Sequence, residues 1–406
     1  MTEPWLHIIG IGADGLDGLP ADQHRRIADA ELLVGGARHL ALAAGLSQAE
    51  QLTWEVPLER TVSRIRKAWG RRVVVLATGD PMWFGIGVTL AREFEPGDYV
   101  ISPGLSAFAL AASRLGWPLA DSVCLTVHGR PIELICRHLI PGARLLILSE
   151  NGGTPALVAA LLAAKGYGAS QISVLAELGG ADEGRWDGTA SGWTITTLPD
   201  LNTIAVTCQP DHDAAPRWSS APGLPDRAFE HDGQLTKQAV RAATLAALAP
   251  LPGELLWDIG AGSGSVAIEW LRAAHAMRAI AIERSAERVA MIRANAASLG
   301  VPNLKIIEGA APDALHNLPT PDAIFIGGGI STEGVFDAAW TALKPGGRLV
   351  ANVVTLEGEA LLLARYREFG GSLTRLAISR AEPVGPHQGW RPLMPVTQLL
   401  LEKPRS

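Results

Sequence analysis

Residues 254–269 read ELLWDIGAGSGSVAIE, and this stretch decides the fold of the C-terminal part of the chain. An apolar run ends at Asp258, glycines follow at the alternate positions 260, 262 and 264, and a helical spacing of apolar residues begins at Val266. Glycine permits a positive φ and lets a ligand lie against the backbone. The helix behind the turn begins with unpaired N–H groups. The stretch therefore predicts a strand, a tight ligand-binding turn and a helix.

Two nucleotide interpretations of this unit remain open. The next apolar run, residues 279–282, ends in Glu283, about 20 residues past the glycines, where a carboxylate can accept ribose hydroxyls. A dinucleotide turn has the pattern G-x-G-x-x-G/A, but here Ser265 stands at the sixth position and the third glycine comes one place early. The pattern D-I-G-x-G-x-G followed by an acid that ends a strand resembles the S-adenosylmethionine (SAM) site of Rossmann-like methyltransferases. A glycine-rich turn without a ligand is the third alternative.

Composition and charge bound the possible functions. A chain of 406 residues is expected to form two or three domains, and 48% apolar against 19% charged residues exclude wholesale disorder. A net charge of −6 argues against a nucleic-acid partner. The three cysteines show no C-x-x-C spacing, so we expect neither disulfides nor a metal site. Without an apolar leader or a membrane-length apolar run, the sequence predicts a cytoplasmic protein with no membrane partner.

The N-terminal half carries three spaced motifs between predicted strands. They are GIGADG at residues 10–15, TGDPMWFGIG at 78–87 and PGLSAFALAASRLGWPLAD at 103–121. The run before the second motif, residues 72–78, is continuously apolar, as in a parallel strand buried on both faces. Further strands at 123–127, 144–148, 172–178 and 203–208, with helices at 132–139 and 154–165, predict a second α/β lobe beginning near residue 120.

Together these motifs resemble the tetrapyrrole (corrin-ring) methyltransferase family over about residues 5–208. The resemblance implies a domain at 1–208 whose two α/β lobes bind SAM between them. It also implies cofactor contacts at Gly79, Asp80, Met82, Ser106 and Ala107.

Residues 209–228 contain four prolines and show no apolar period, so we predict a linker there. Residues 229–406 then alternate strands with helices and end in two late strands, 373–380 and 395–401, with no helix between them. This order predicts a Rossmann-like, seven-stranded SAM methyltransferase fold. A dehydrogenase half would have a sixth parallel strand instead, which weakens the dinucleotide interpretation.

A second resemblance rests on HDGQLTKQAVR (231–241), the DIGAGSGSVAIE turn, EGAAPDAL (308–315) and IFIGGG (324–329). These motifs are similar to the precorrin methyltransferase/decarboxylase family of cobalamin synthesis. The resemblance implies SAM contacts at Thr236, Gly260, Gly262, Ser263, Gly264, Glu283 and Ala311. Ala310 departs from the family, which often has Asp there, so the adenine would rely on backbone contacts.

The two resemblances together imply a bifunctional enzyme with two SAM sites. It would methylate a precorrin at C5 and C15 and remove the carboxyl of the C12 acetate, giving precorrin-8X, and it would self-associate as a homo-oligomer. Because the macrocycle carries acetates and propionates, we expect arginine anchors at Arg391 and Arg130, with His387 beside Arg391 as a proton donor. Methylation of RNA or protein, and SAM binding without catalysis, remain alternatives.

Overall fold

The computed structural model of the chain describes residues 4–212 and 218–405. Backbone contacts divide it into two compact units, Met1–Ile132 with Ile140–Pro216, and Glu133–Leu139 with Arg217–Ser406. Of the predicted linker at 209–228, residues 213–217 lie outside the described part of the chain. No helix among the described residues is both long and apolar enough to cross a membrane.

The first sheet of the N-terminal unit is parallel throughout and has the strand order β3-β2-β4-β1-β5. Its central strands are buried on both faces, as the apolar run at 72–78 predicts. Its elements are β1 (Leu6–Ile11), α1 (Ala21–Ala28), β2 (Leu32–Gly35), α2 (Ala37–Ala43), β3 (Glu50–Thr53), α3 (Glu59–Lys67), β4 (Val73–Thr78), α4 (Ile86–Glu93), β5 (Tyr99–Ser102) and α5 (Ala107–Leu115).

The second sheet of this unit is mixed, with the order β6-β7-β10-β8-β9. Only β6 and β7 are parallel, and β10 runs antiparallel to both of its neighbours. Its elements are β6 (Ser122–Thr126), β7 (Arg144–Leu148), α6 (Thr154–Ala164), β8 (Gln171–Ala176), β9 (Gly184–Thr189) and β10 (Asn202–Thr207).

The C-terminal unit has the predicted seven-stranded sheet, with the order β13-β12-β11-β14-β15-β19-β16. The first five of these strands are parallel, and β19 inserts antiparallel between β15 and β16. The α/β fold class is therefore confirmed. The elements are α7 (Gln238–Leu248), β11 (Leu255–Ile259), α8 (Ser265–Ala273), β12 (Arg278–Glu283), α9 (Ala286–Ser298), β13 (Lys305–Glu308), β14 (Ala323–Ile326), α10 (Val335–Ala342), β15 (Arg348–Val353), α11 (Leu356–Phe369), β16 (Ser372–Leu376), β17 (Ser379–Val384), β18 (His387–Pro392) and β19 (Val396–Glu402).

Strand alternation gives this sheet two apolar faces. Val350 of β15 belongs to a core formed with α7, α8 and α9, while its neighbours Leu349 and Ala351 belong to a core formed with α10 and α11. Helices therefore cover both faces, and in such open sheets the ligand is expected beyond the carboxyl ends of the strands.

Four local expectations differ from the structure. The strand predicted at 373–380 ends at Leu376, because the chain leaves the sheet there to form the separate β17–β18 hairpin. The helix predicted at 132–139 is a 3₁₀ helix, Ile132–His138. Strands β3 and β9 were not predicted, because both are polar edge strands without an apolar period.

Candidate active sites

The glycine turn after β11 is held by backbone contacts on both sides. The N–H groups of Gly260 and Ala261 donate to the Ile282 carbonyl at 3.0 and 3.1 Å, which ties the turn to β12. Gly260 has a φ of +69°, and a Cβ there would lie 2.7 Å from the Gly328 carbonyl oxygen. The turn therefore packs directly against the glycine loop after β14, and a side chain at position 260 would separate the two.

Gly262 is the turn glycine that leaves room for a ligand. Its φ is +59°, and the nearest atom to an added Cβ would be the Gln234 carbonyl oxygen at 3.5 Å. Glu283 is buried and fixes the same backbone, because its Oε2 accepts from the Gly262 N–H at 2.9 Å and its Oε1 from the Ser285 N–H at 3.0 Å. Each carboxylate oxygen retains a lone pair that can accept a hydroxyl.

A cavity of about 1040 Å³ opens beside this turn, larger than most single-ligand pockets. Its lining includes five of the residues that the resemblance assigns to SAM, namely Thr236, Gly260, Gly262, Glu283 and Ala311. The three glycines after β14, residues 327–329, also line it.

Ser263 and Gly264 are not among the lining residues. A Cβ on Gly264 would lie 2.8 Å from Cγ2 of Ile292, so this glycine lets α9 pack against the turn. The Ser263 hydroxyl is buried and has no hydrogen-bond partner among the described residues.

Asp258, the last polar residue before the turn, is fully buried at the end of β11. Its Oδ2 accepts from the Ala267 N–H at 3.0 Å, while its Oδ1 has no partner in the described parts of the chain. Burial and, to a smaller extent, the nearby Glu283 carboxylate raise the pKa of Asp258 to about 7, although the hydrogen bond from Ala267 opposes the shift.

The cavity is cationic although the chain is acidic. Lys237, Arg284 and Arg288 line it, against the single carboxylate of Glu283. Arg288 pairs with Asp232 at 2.8 Å, whereas the ammonium of Lys237 and the guanidinium of Arg284 have no hydrogen bond or ion pair within residues 4–212 and 218–405. Sequence reasoning missed all three, since one basic residue in a motif carries no signal until the fold brings several together.

The position of Lys237 follows from the direction of α7. The carbonyls of Leu248 and Ala249, at its C-terminal end, accept from Arg348, the first residue of β15. Helix α7 therefore runs antiparallel to β15, and Lys237, just before its first residue, lies near the carboxyl end of that strand. This places an unpaired cation beyond the sheet edge where the substrate is expected.

The fully buried side chain of Arg241 holds the chain segment before α7. Its guanidinium donates to the carbonyls of Thr236 and Leu224, pairs with Glu269 at 2.6 Å and with Asp226 at 3.4 Å, and packs over a phenylalanine ring. Because all three guanidinium nitrogens donate within the unit and the side chain is fully buried, this arginine is a structural support for the wall at Thr236 and not a ligand anchor.

The β17–β18 hairpin carries the predicted anchor Arg391 and its neighbour His387, and neither lines the cavity. Arg391 is 73% exposed and pairs with Glu382 on the opposite strand at 3.0 Å. The hairpin meets the cavity only at its base, through Ile378, Leu393 and Met394.

In the N-terminal unit, three glycines meet at the carboxyl ends of adjacent strands. A Cβ on Gly10 would lie 1.8 Å from the Gly79 carbonyl oxygen, and one on Gly104 would lie 3.0 Å from the carbonyl oxygens of both Gly10 and Gly79. The Gly104 N–H donates to the Gly79 carbonyl at 3.0 Å. The GIGADG, TGDP and PGLS motifs therefore converge on one backbone junction.

The five residues predicted to contact SAM in this unit lie around that junction. Oδ1 of Asp80 accepts from the Met82 N–H at 2.8 Å and shapes the loop after Gly79. Ser106 caps α5 by accepting from the Ala109 N–H at 3.1 Å, and Ala107 is the first residue of that helix. A Cβ on Gly79 would lie 3.5 Å from Ser106 Cα and 3.8 Å from the Ala107 nitrogen, so the loop and the helix N-terminus are adjacent.

An aromatic face lies next to this loop. Trp83 and Phe84 are partly exposed although their rings contact the buried Phe108, at centroid distances of 5.3 and 6.0 Å. The guanidinium of Arg130, a predicted anchor, lies 5.3 Å from the centroid of the Phe84 ring. Phe84 has a φ of +60°, which bulky residues rarely adopt.

Two family models match the chain. The family described as Tetrapyrrole (Corrin/Porphyrin) Methylases matches residues 5–192, and the one described as Precorrin methyltransferase domain matches residues 227–403. With glycine-built sites at the carboxyl ends of two separate α/β folds, these matches define the chain as a methyltransferase that uses SAM.

Curated relatives narrow this class. The chain is 51% identical to "Precorrin-6Y C(5,15)-methyltransferase [decarboxylating]" of Sinorhizobium sp, over 98% of this chain and 96% of the relative. It is 40% identical to the protein of the same name from Mycobacterium tuberculosis, over 98% and 99%. It is also 33% identical to "Probable cobalt-precorrin-6B C(15)-methyltransferase (decarboxylating)" of Pyrobaculum calidifontis, over 44% of this chain and 95% of the relative. The chain belongs to the precorrin-6Y C(5,15)-methyltransferase (decarboxylating) family.

Proposed function

We propose that the chain methylates precorrin-6Y at C5 and C15 and removes the carboxyl of the C12 acetate, giving precorrin-8X. The N-terminal unit serves C5, and the C-terminal unit serves C15 and the decarboxylation. The division follows the two resemblances, one in each unit. The Pyrobaculum calidifontis relative, which is named for C15 and decarboxylation alone and matches 44% of this chain, supports a separation of these steps from C5 methylation.

The assignment of C15 methylation and decarboxylation to the C-terminal unit rests on the cavity of that unit. It joins a glycine turn and a buried acid to a region lined by Lys237 and Arg284, whose cations have no partner among the described residues. A nucleotide-like cofactor suits the first part, and a polycarboxylate suits the second. The volume of about 1040 Å³ leaves space for a second ligand beside the cofactor.

The residues present fit SAM in both units, and we propose one site in each. In the C-terminal unit Gly262 leaves the space that a Cβ would fill, and Glu283 and Thr236 border it. In the N-terminal unit the site is formed by Gly79, Asp80, Met82, Ser106 and Ala107. When bound, the cofactor supplies an electrophilic methyl group on a sulfonium.

The main contribution of the protein to methyl transfer is to position the macrocycle, and no strong base is needed. The meso carbons of a reduced tetrapyrrole are enamine-like and already nucleophilic, so the residues need to hold the ring in line with the methyl group. In the N-terminal unit we assign this to the aromatic face at Trp83 and Phe84 and to Arg130. In the C-terminal unit Lys237 and Arg284 are better placed than Arg391 and His387, which stay candidates at the rim of the site.

The test is to incubate the full chain with SAM and precorrin-6Y and to analyse the product by mass spectrometry. The expected product has gained two methyl groups and lost one CO2. Calorimetry with S-adenosylhomocysteine should give two equivalents per chain, and gel filtration should show a homo-oligomer. Cofactor binding without any methylated product would refute the proposed function.

A further inference from the structure

The C-terminal cavity contains one uncharged amide whose orientation the fold fixes. Asn352, near the carboxyl end of β15, lines the cavity. Its Nδ2 donates to Oγ1 of Thr244 at 2.8 Å, and its Oδ1 accepts from Nε2 of Gln398 at 2.9 Å. Gln398 lies directly opposite Asn352 in the antiparallel pairing of β15 with β19.

The hydrogen bonds allow only one orientation of this amide. The single hydroxyl proton of Thr244 is donated to the Val240 carbonyl at 2.8 Å, so its oxygen can only accept from Asn352. Gln398 Nε2 also donates to the Thr244 oxygen, at 3.2 Å, and this fixes the glutamine. An Asn352 amide rotated by 180° would place its carbonyl against an acceptor and its NH2 against a donor.

The supporting residues lie where apolar side chains would be expected. Thr244 is fully buried and Gln398 is 6% exposed, beside an apolar core that includes Leu245, Leu248 and Val350. A buried polar network is no more stabilising than apolar packing of the same shape, but it specifies an orientation. Asn352 retains one N–H and one lone pair that the network does not use.

The surroundings of Asn352 suit the loss of a carboxylate as CO2. Six apolar residues from the carboxyl end of β15, the base of the hairpin and the start of β19 line the cavity with Asn352, and they are Val353, Val354, Ile378, Leu393, Met394 and Val396. The lining cation that precedes α7, Lys237, comes seven residues, or about 10 Å of helix, before Thr244. Decarboxylation moves negative charge from the carboxylate into the ring, so a cation on the carboxylate would stabilise the ground state and slow the step. A neutral N–H can orient the group at a smaller cost, and apolar neighbours favour the transition state because its negative charge is more dispersed.

We propose that Asn352 binds the acetate carboxylate that the enzyme removes, and that Gln398 and Thr244 are positioning residues for its amide. In this step the bond between the side-chain methylene and the carboxylate carbon breaks. Its electron pair enters the conjugated ring, and CO2 leaves. The pair then returns to the methylene, which takes a proton from water and becomes a methyl group. This inference rests on the proposed function.

The test uses the full chain with Asn352→Leu, which keeps the size of the side chain. We expect CO2 release to fall by roughly 10- to 100-fold, the effect of losing the orientation of a reacting group. Methyl transfer at C15 to a macrocycle that already has a methyl group at C12 should stay at the wild-type rate. The Kd for S-adenosylhomocysteine should not change.

Gln398→Met tests the positioning role and should lower CO2 release by roughly 3- to 10-fold, with the same unchanged methyl transfer. Thr397→Val is the matched control, because Thr397 is also buried and polar, lies one residue away and does not line the cavity. It should alter neither CO2 release nor methyl transfer.

Equal losses of CO2 release and methyl transfer in Asn352→Leu would overturn the proposal. So would weaker binding of S-adenosylhomocysteine, because the amide would then serve the carboxylate of the cofactor. If the wild-type chain gave no methylated product, the proposed function itself would fail.

Discussion

Both units use glycine to bring loops together beyond their strands, but only the glycine turn of the C-terminal unit has a glycine that also borders a cavity. In the C-terminal unit Gly262 has open space in front of it and borders a cavity. In the N-terminal unit Gly10 has no space at all, because the Gly79 carbonyl already occupies the position of its Cβ. The C-terminal unit thus divides these tasks between Gly260, which packs against the loop after β14, and Gly262, which borders the cavity. In the N-terminal unit Gly10 serves only the close approach of three strand ends.

The most disruptive test of this comparison is Gly10→Ala. An added Cβ would lie 1.8 Å from the Gly79 oxygen and 2.5 Å from the Gly104 nitrogen, and both are backbone atoms that cannot move separately. We expect C5 methylation to fall by at least about 100-fold, as misplaced catalytic geometry does, while C15 methylation persists. Product masses and methyl positions from NMR give the result.

The control for that variant is Gly97→Ala, since no atom lies within 4 Å of a Cβ there. It should leave both methylations unchanged. Wild-type C5 methylation in Gly10→Ala would show that the glycine junction is not needed for the N-terminal site.

The corresponding change in the C-terminal unit is Gly260→Ala, which we expect to be somewhat milder. Its Cβ would lie 2.7 Å from the Gly328 oxygen, and the loop after β14 can shift by tenths of an ångström. C15 methylation should fall by roughly 30-fold with C5 methylation retained, and calorimetry should show one weakened site for S-adenosylhomocysteine.

Gly253→Ala separates this clash from backbone strain. Gly253 has an even larger φ, +86°, but nothing lies near its Cβ position. If both variants lost C15 methylation equally, strain would be the cause, and the contact with Gly328 would not matter.

The sequence predicted the α/β class of both parts, because buried parallel strands and glycine turns leave local patterns. The seven-stranded order followed from the alternation of strands and helices between residues 255 and 354 and from the two late strands. The β17–β18 hairpin was missed because its residues are mostly exposed and polar, with no apolar period to mark a strand.

The residues of the candidate site could be predicted only where they come from one short segment of the chain. The glycine turn with Glu283 lies within about 25 residues, and the structure gives it a buried carboxylate bonded to the turn. Lys237 and Asn352 come from distant segments that only the fold brings together. The motif around Lys237 indicated a cofactor contact at Thr236 but no substrate anchor, and nothing near Asn352 in sequence indicates a cavity. Arg391 was favoured by its neighbours in sequence, yet it pairs with Glu382 on its own hairpin.

The variant Lys237→Met tests whether the cationic lining of the C-terminal cavity anchors the macrocycle. We expect the KM for the macrocycle in C15 methylation to rise by about 10-fold, the effect of one lost charge-assisted hydrogen bond, with kcat nearly unchanged. C5 methylation should not change. Steady-state kinetics at a range of macrocycle concentrations measure the effect.

Lys305→Met is the control for that variant, since this exposed lysine of β13 does not line the cavity. A fall in kcat with an unchanged KM in Lys237→Met would contradict an anchoring role and indicate that the ammonium acts in the transition state.

The smallest predicted effect is a change in the free energy of unfolding with pH, and the sign of this change differs between the two units. His39 is buried beside Thr78 at the end of β4, with its Nε2 3.2 Å from the threonine hydroxyl. Burial and, to a smaller extent, the Arg38 charge lower the pKa of His39 to about 4. The contribution of the neutral imidazole to stability is therefore lost as the pH falls from 6.5 towards 4. The contribution of Asp258 to stability changes with pH in the opposite direction.

Because the pKa of Asp258 is raised to about 7, the folded C-terminal unit holds a proton that the unfolded chain releases near pH 4. Its contribution is therefore present in acid and is lost as the pH rises through about 7. Between about pH 5 and pH 7 the advantage of wild type over His39→Gln should grow, and its advantage over Asp258→Asn should shrink, each by of order 2 kcal/mol. Thermal unfolding of the full chain and both variants across this range measures the differences. If both advantages changed in the same direction over this pH range, then either His39 would not be held neutral or Asp258 would not be held protonated in the folded chain.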